Sequence, residues 1–338
     1  MKRKNILLGH GSGGKLTHDL IDKLFMKYFD NEILSAQGDS SILPVEGKHI
    51  SFTTDSFVVN PVFFPGGNIG NLAIAGTVND LAVSGAKPLY LSVGFILEEG
   101  FSLAELEEIV KTMTLEAREA GVRIVTGDTK VVERGHADKI FINTSGIGFL
   151  PENRKHISSG SRIEVGDKII INGAVGNHGM AVMAARNDLN ISSEILSDCA
   201  SLNGLIDVAF GVTEEIKFMR DATRGGLSSV LTELFEGKPF GVEIEEEAVP
   251  VHDNVMGMCD LLGFDPFQVA NEGKVVMVVS KTEAKAVVEA MQKHPFGKEA
   301  AIIGEITDSH PGRGRITTTI GGKRVIDMLA GEQLPRIC

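Results

Sequence analysis

The sequence predicts an α/β (α+β) chain of two domains and a short tail. Three observations carry this. Segments of helical apolar period alternate with short strand-like apolar runs along the whole length. A cluster of Pro, Ser, Gly and charged residues between Leu150 and Asp167 divides the chain near its middle. With 338 residues there is enough chain for two cores. The expected units are 1–155, a β-rich dimerising half; 156–326, an α/β half; and 327–338, a mobile tail.

The elements follow in order. Asn5–Gly14 is an apolar stub leading into a glycine-rich loop, and Lys15–Phe29 has Leu16, Leu20, Ile21, Leu24 and Phe25 at helical spacing. Glu32–Val59 reads as short strands with a turn at Val45-Glu46-Gly47-Lys48. These strands are too few to close a sheet alone, so their edges need a partner. Asn68–Ser84 is a helix of small residues, Leu89–Leu97 a strand, Leu103–Ala120 a helix, and Val122–Thr126 and Phe141–Phe149 strands. In the second half, Lys168–Asn172 and Val275–Val279 read as strands. Met180–Ala185, Leu202–Phe218, Leu227–Phe235 and Thr282–His294 read as helices. Arg315–Ile326 reads as a hairpin turning at Gly321-Gly322.

Composition excludes several classes. Hydrophobic residues make up 43% and charged residues 23%, which is ordinary for a globular domain. A net charge of −12 opposes nucleic acid as the main partner, since phosphate binding needs a basic field. No apolar run reaches membrane-spanning length, and the apolar stretch after the basic N-terminus stops at Leu8, too early for a secretory signal. Cys199, Cys259 and Cys338 make no disulfide framework, so the expected setting is a reducing cytoplasm.

The end of the chain is its most unusual feature. Pro335-Arg336-Ile337-Cys338 places a thiol on the last residue, behind a proline that resists helix. A terminal thiol contributes little to a core but is well placed to carry a group; a tail that merely ends in Cys is the plain alternative. At the other end, Gly9-His10-Gly11-Ser12-Gly13-Gly14-Lys15 fits both a dinucleotide fingerprint and a phosphate loop on paper. The first lacks a following βαβ unit, and the second has Leu16 where Ser or Thr would hold a metal. What survives is a generic anion loop through Gly11, Gly13 and Lys15.

Acids recur where strands and helices turn: Asp39, Asp55, Asp80 and Asp128. Asp80 falls inside an apolar helix, where an acid is either paired or bound to a cation. Hard carboxylate oxygens suit Mg²⁺ that bridges nucleotide phosphates; each acid taken singly also suits a cap or a turn. Arg220-Asp221-Ala222-Thr223-Arg224-Gly225-Gly226 before a helix describes a further anion site, or a capped helix with surface arginines. Glu272, at a loop edge before a strand, is a base or a turn acid.

These motifs together resemble the aminoimidazole ribonucleotide synthetase (PurM-like) superfamily. The carriers are Gly38-Asp39-Ser40-Ser41, Thr54-Asp55-Ser56, Val78-Asn79-Asp80-Leu81, Gly127-Asp128-Thr129-Lys130 and Asp221-Ala222-Thr223-Arg224-Gly225-Gly226-Leu227. The terminal Pro-Arg-Ile-Cys is similar to that of the hydrogenase-maturation carbamoyl dehydratases within it. The selenophosphate branch carries a reactive Cys or selenocysteine in its N-terminal glycine-rich region, and here no Cys precedes Cys199.

The resemblance implies a homodimer that binds ATP and Mg²⁺ between its halves. Asp39, Asp55, Asp80 and Asp128 become the metal set, with Gly11, Gly13, Lys15, Asn79, Thr129, Arg224 and Gly225 around the nucleotide. It also implies that a carbamoyltransferase (HypF) loads Cys338. ATP would then drive dehydration of the S-carboxamide to S-cyanide, with Lys130 at the γ-phosphate and Glu272 as a base. The cyanide would pass to the iron of [NiFe]-hydrogenase on a scaffold complex (HypC with HypD). A small-molecule kinase or synthetase of the same superfamily, or a non-enzymatic scaffold or metal chaperone, remains open on the residues alone.

Overall fold

A computed structural model describes residues 5–7, 20–31, 49–186, 194–327 and 336–338. In the first half, a π-helical turn at Ile21–Phe25 runs into α1 (Met26–Phe29). Then come β1 (His49–Phe57), β2 (Phe63–Phe64), β3 (Gly67–Asn68), α2 (Ile69–Val83), β4 (Lys87–Glu98), α3 (Leu103–Glu119), β5 (Arg123–Val132) and β6 (Ile140–Leu150). Strands pair in the order β1-β6-β4-β5, and the β4-α3-β5 connection makes a parallel pair.

The second half holds β7 (Lys168–Ile171), α4 (Asn177–Ala185), α5 (Asn203–Phe210), β8 (Ile216–Asp221), α6 (Gly226–Phe235), β9 (Gly241–Glu245) and α7 (Asp253–Leu262). It ends with β10 (Val275–Val279), α8 (Ala284–Met291), β11 (Ala301–Thr307), β12 (Gly314–Thr317) and β13 (Lys323–Ile326). Its sheet runs β13-β12-β9-β11-β7-β10-β8. All five residues of β10 are buried, as a central strand covered on both faces requires.

Helix α2 joins the halves. Every residue from Ile69 to Val83 except Asp80 is buried. Such all-round burial explains why the segment is apolar on every side rather than striped. Asn68 caps its start: its Oδ1 accepts from the Gly70 N–H at 2.7 Å, its Nδ2 donates to Thr112 Oγ1 at 2.9 Å, and Asn71 accepts from the Asn68 N–H. One core cluster draws Phe57, Ile69, Leu72 and Phe95 from the first half and Met180, Val182 and Val255 from the second.

Several sequence expectations need correction. The helix expected over Leu202–Phe218 is α5 followed by strand β8; the polar run Gly211–Glu215 breaks the apolar period between them. Strand β1 is one nine-residue strand paired along β6, not a set of short ones, although residues 32–48 lie outside the described part. Strand β5 reaches Val132, so Asp128 lies inside it and does not end it. The hairpin does turn at Gly321-Gly322, where the Thr318 N–H donates to the Gly322 carbonyl.

Candidate active site between the two halves

The acids on β1 and α2 face the start of α6. Asp55 lies on the helix-facing side of β1, with Ser51, Thr53 and Phe57. Asp80, the half-buried residue of α2, accepts from Thr53 Oγ1 at 2.7 Å. Burial raises the Asp55 carboxyl above its ordinary range, against the pull of the Ser56 N–H and the Arg224 guanidinium. Burial also raises Asp80; the Thr53 hydroxyl opposes this, the Asp55 charge adds to it, and Arg220 opposes it.

Asp221, at the end of β8, completes the cluster. Burial and the charge of Asp80 lift it from 3.8 to about 7. In the sequence it belongs to the arginine-rich motif, an anion site or a capped helix, and not to the acid cluster, because nothing there brings β8 to α2. After it, Gly225 and Gly226 both hold positive φ (74° and 60°) where α6 begins. A Cβ on Gly225 would lie 1.9 Å from Ser229 Oγ, so the turn that aims the first N–H groups of α6 needs glycine.

Glu272 is the deepest carboxyl of the site, 3% exposed, and among the described residues its Oε1 has no hydrogen-bond partner. Burial drives it well above its ordinary range, reinforced by the charges of Asp221, Asp198 and Asp55 and opposed by Arg224. It is held through its backbone. Asp198 Oδ1 accepts from the Glu272 N–H at 3.2 Å and Oδ2 from the Gly273 N–H at 3.3 Å, while Lys274 Nζ donates to Oδ2 at 2.8 Å. Burial works to raise Asp198, but Lys274, together with His178 and the Glu272 N–H, outweighs it and leaves the carboxyl below its usual range. Cys199 lies within the field of Glu272, and burial with that charge pushes its thiol well up, so it is not a thiolate.

The remaining expected residues divide. Asn79 is buried and occupied: Nδ2 donates to the Ala200 carbonyl (3.0 Å) and the Glu272 carbonyl (3.4 Å), and Oδ1 accepts from the Leu202 N–H (2.7 Å). It braces one half against the other. Asp128, Thr129 and Lys130 do not join Asp55 within this chain. The cross-strand row runs Asp55–Thr144–Val93–Gly127, so Asp128 is one residue out of register and points from the opposite face. It is also three strands away, about 14 Å across the sheet. On that outer face Lys130 Nζ donates to Asp128 Oδ1 at 3.1 Å, both largely exposed, whereas Thr129 turns inward and is buried. Gly11, Gly13, Lys15 and Asp39 lie outside the described residues.

The tail end is docked. The Val58 N–H donates to the Cys338 carbonyl and the Asn60 N–H to the Arg336 carbonyl, each at 3.1 Å, in antiparallel register. Arg336 Nε donates to the Val58 carbonyl, and its Nη1 pairs with Asp138. Ile337 is 2% exposed, and Cys338 is half-buried.

Residues 37–150 match the N-terminal domain, and residues 164–316 the C-terminal domain, of AIR synthase related proteins. Fold and site thus define an AIR-synthase-related protein with its carboxylates gathered where the halves meet. The carbamoyl dehydratase HypE of Rhizobium leguminosarum bv. viciae is 49% identical over 98% of this chain and 94% of its own length. A solved hydrogenase maturation protein HypE in complex with ATP matches with TM-score 0.93 at 44% identity, covering 98% of this chain and 99% of that one. A chain from a HypE–HypF complex matches at TM-score 0.79 and 48% identity, over 92% and 99%. This chain belongs to the carbamoyl dehydratase HypE family.

Proposed function

We propose that this protein dehydrates its own carbamoylated C-terminal cysteine with ATP, giving the S-cyanide that supplies cyanide to hydrogenase iron. The observation that carries the reading is a terminal Cys338 seated in a chain whose relatives are carbamoyl dehydratases. The carbamoyl oxygen attacks the γ-phosphorus of ATP and ADP leaves. The oxygen, now part of a phosphate ester, becomes a competent leaving group. Loss of the two nitrogen protons, one in each step, and expulsion of phosphate leave S–C≡N.

The residues take roles that follow from their chemistry. Glu272, raised by burial, is suited to accept a nitrogen proton. Asp55, Asp80 and Asp221 hold mutually repelling charge that a divalent cation would relieve. Their hard carboxylate oxygens suit Mg²⁺ shared with phosphate oxygens. When bound, Mg²⁺ supplies charge neutralisation at the phosphates; Asp39 and, from a second copy, Asp128 would complete its holders. Gly11, Gly13 and Lys15, with Thr129, Arg224 and Gly225, would contact the nucleotide.

The protein would act as a homodimer. The outer face of the first sheet carries Phe52 (67% exposed), Ile50 (54%) and Ile96 (44%), a patch that a second copy would cover. That pairing would put Asp128 and Lys130 at a shared boundary, where Lys130 reaches a γ-phosphate. The expected partners are HypF as carbamoyl donor and a HypC–HypD complex as acceptor, in the cytoplasm, where a free thiol persists. Units 1–155 and 156–326 would enclose the nucleotide, and 327–338 would swing between donor and site.

Intact mass spectrometry tests the whole reading. Carbamoylation should add about 43 Da at Cys338 and ATP should reduce this to about 25 Da, from the atoms added to a thiol. Increments on Cys199 or Cys259, or ATP turnover only with a diffusible acceptor, would move the protein to another reaction.

A further inference from the structure

His178 is a buried histidine that the proposed chemistry does not use. It stands in the first turn of α4, fully buried, edge-on to Phe64 with ring centroids 5.3 Å apart. Both ring nitrogens are engaged. Nε2 lies 2.8 Å from the Ile337 carbonyl oxygen, and Nδ1 lies 2.8 Å from Ser197 Oγ. A carbonyl only accepts, so Nε2 carries the proton. Burial holds the ring neutral, so Nδ1 accepts from the Ser197 hydroxyl. Ser197 Oγ in turn accepts from the Cys199 N–H at 3.1 Å, and the Ser197 N–H is tied to the Pro65 carbonyl at 2.8 Å.

The residue between them is Asp198, which holds the backbone of Glu272 and Gly273. Three consecutive residues therefore grip the penultimate carbonyl on one side, through His178, and the Glu272 peptide on the other. Arg186 closes the seat, with Nε donating to the Asn60 carbonyl at 3.0 Å and Nη2 to the Arg336 carbonyl at 3.1 Å.

We infer that His178 is a positioning residue for the C-terminal tripeptide: its Nε2–H holds the Ile337 carbonyl, and the Ser197-Asp198-Cys199 turn fixes that grip at a set offset from Glu272. The grip reads backbone, not side chain, so it is indifferent to what the Cys338 sulfur carries. This deepens the dehydratase reading and rests on it only for the catalytic consequence.

The first measurement needs neither ATP nor carbamoyl donor. In the full-length protein, the rate at which iodoacetamide alkylates Cys338 is read on the peptide that follows Lys323. His178→Ala and His178→Asn should raise this rate about five- to tenfold, the worth of one ordinary hydrogen bond. His178→Gln, whose amide nitrogen reaches the Nε2 position, should stay within about twofold of the parent. Amide exchange at Val58 and Asn60 should quicken in the same variants and recover in the same one. If His178→Ala does not fold, Ser197→Ala, which frees the tautomer, should raise the rate about twofold. An unchanged rate in folded His178→Ala or Ser197→Ala, or a Gln variant no slower than Asn, overturns the assignment.

The second measurement is single-turnover conversion of the carbamoylated tail. It should slow in the Ala and Asn variants and recover in Gln, with ATP affinity unchanged. Should the parent protein fail to convert its tail, the dehydratase reading falls and the alkylation result still judges the seat. Should the parent convert and His178→Ala convert equally fast, the positioning role falls alone.

Discussion

Asp221 shows how burial and like charge act on one carboxyl. Its native value of about 7 lies above the ordinary 3.8, so the folded state holds this proton more tightly than the unfolded state. The resulting stability is complete below about pH 4 and is lost as pH rises through about 7. Nucleotide-free Asp221→Asn should therefore gain stability relative to the parent between pH 5 and pH 8 in urea unfolding. A difference independent of pH would mean that Asp221 does not titrate in this range. Asn79 makes a separate test. Its bonds to Ala200, Leu202 and Glu272 cross between the halves, so Asn79→Ala should lower unfolding free energy by about 2–4 kcal/mol, since backbone groups are left buried and unpaired. A loss below about 0.5 kcal/mol would show that those groups find other partners. At this scale the sequence was partly legible. Asp80 was recognisable as an acid in an odd place, inside an apolar helix, and Asp55 and Glu272 as acids at a turn and a loop edge. The bracing role of Asn79 was not, because its partners lie more than a hundred residues away.

The turn Asn271-Glu272-Gly273 approaches the 198–200 segment so closely that a Cβ on Gly273 would stand 1.9 Å from the Asp198 carbonyl oxygen. Gly273→Ala should cost about 2–4 kcal/mol, because backbone rather than a pliable side chain must move. It should also displace Glu272 and slow the chemistry more than it weakens ATP binding. A thermal midpoint equal to the parent's would contradict this. Most helices were readable from period alone: α3 has a buried stripe of Leu106, Ile109, Val110 and Met113 against an acidic outer face. Strands β9 and β11 and helix α7 passed unnoticed. Strand β9 is a short Gly-Val-Glu-Ile-Glu run, and the burial of β11 is irregular because its register shifts between Ile302 and Gly304. Helix α7 buries only Val255, Met258 and Cys259, too few to mark a stripe.

The whole molecule sets the limits of what one chain does. The outer face of the first sheet displays Ile50, Phe52 and Ile96 beside Asp128 and Lys130, on the far side from Asp55. If a second copy covers that face, Phe52→Glu should yield a monomer in sedimentation velocity and weaken ATP binding together. A parent that sediments as a monomer at micromolar concentration would remove the dimer from the account. No periodicity argument could have separated Asp128 from Asp55, since their faces depend on strand register and not on spacing. Seated beside Val58 and Asn60, Arg336, Ile337 and Cys338 cover N–H groups just past β1, a strand on the rim of the described sheet. With the seat empty those groups become a template for pairing with another chain, so the protein with its tail end released should be the form more prone to aggregate.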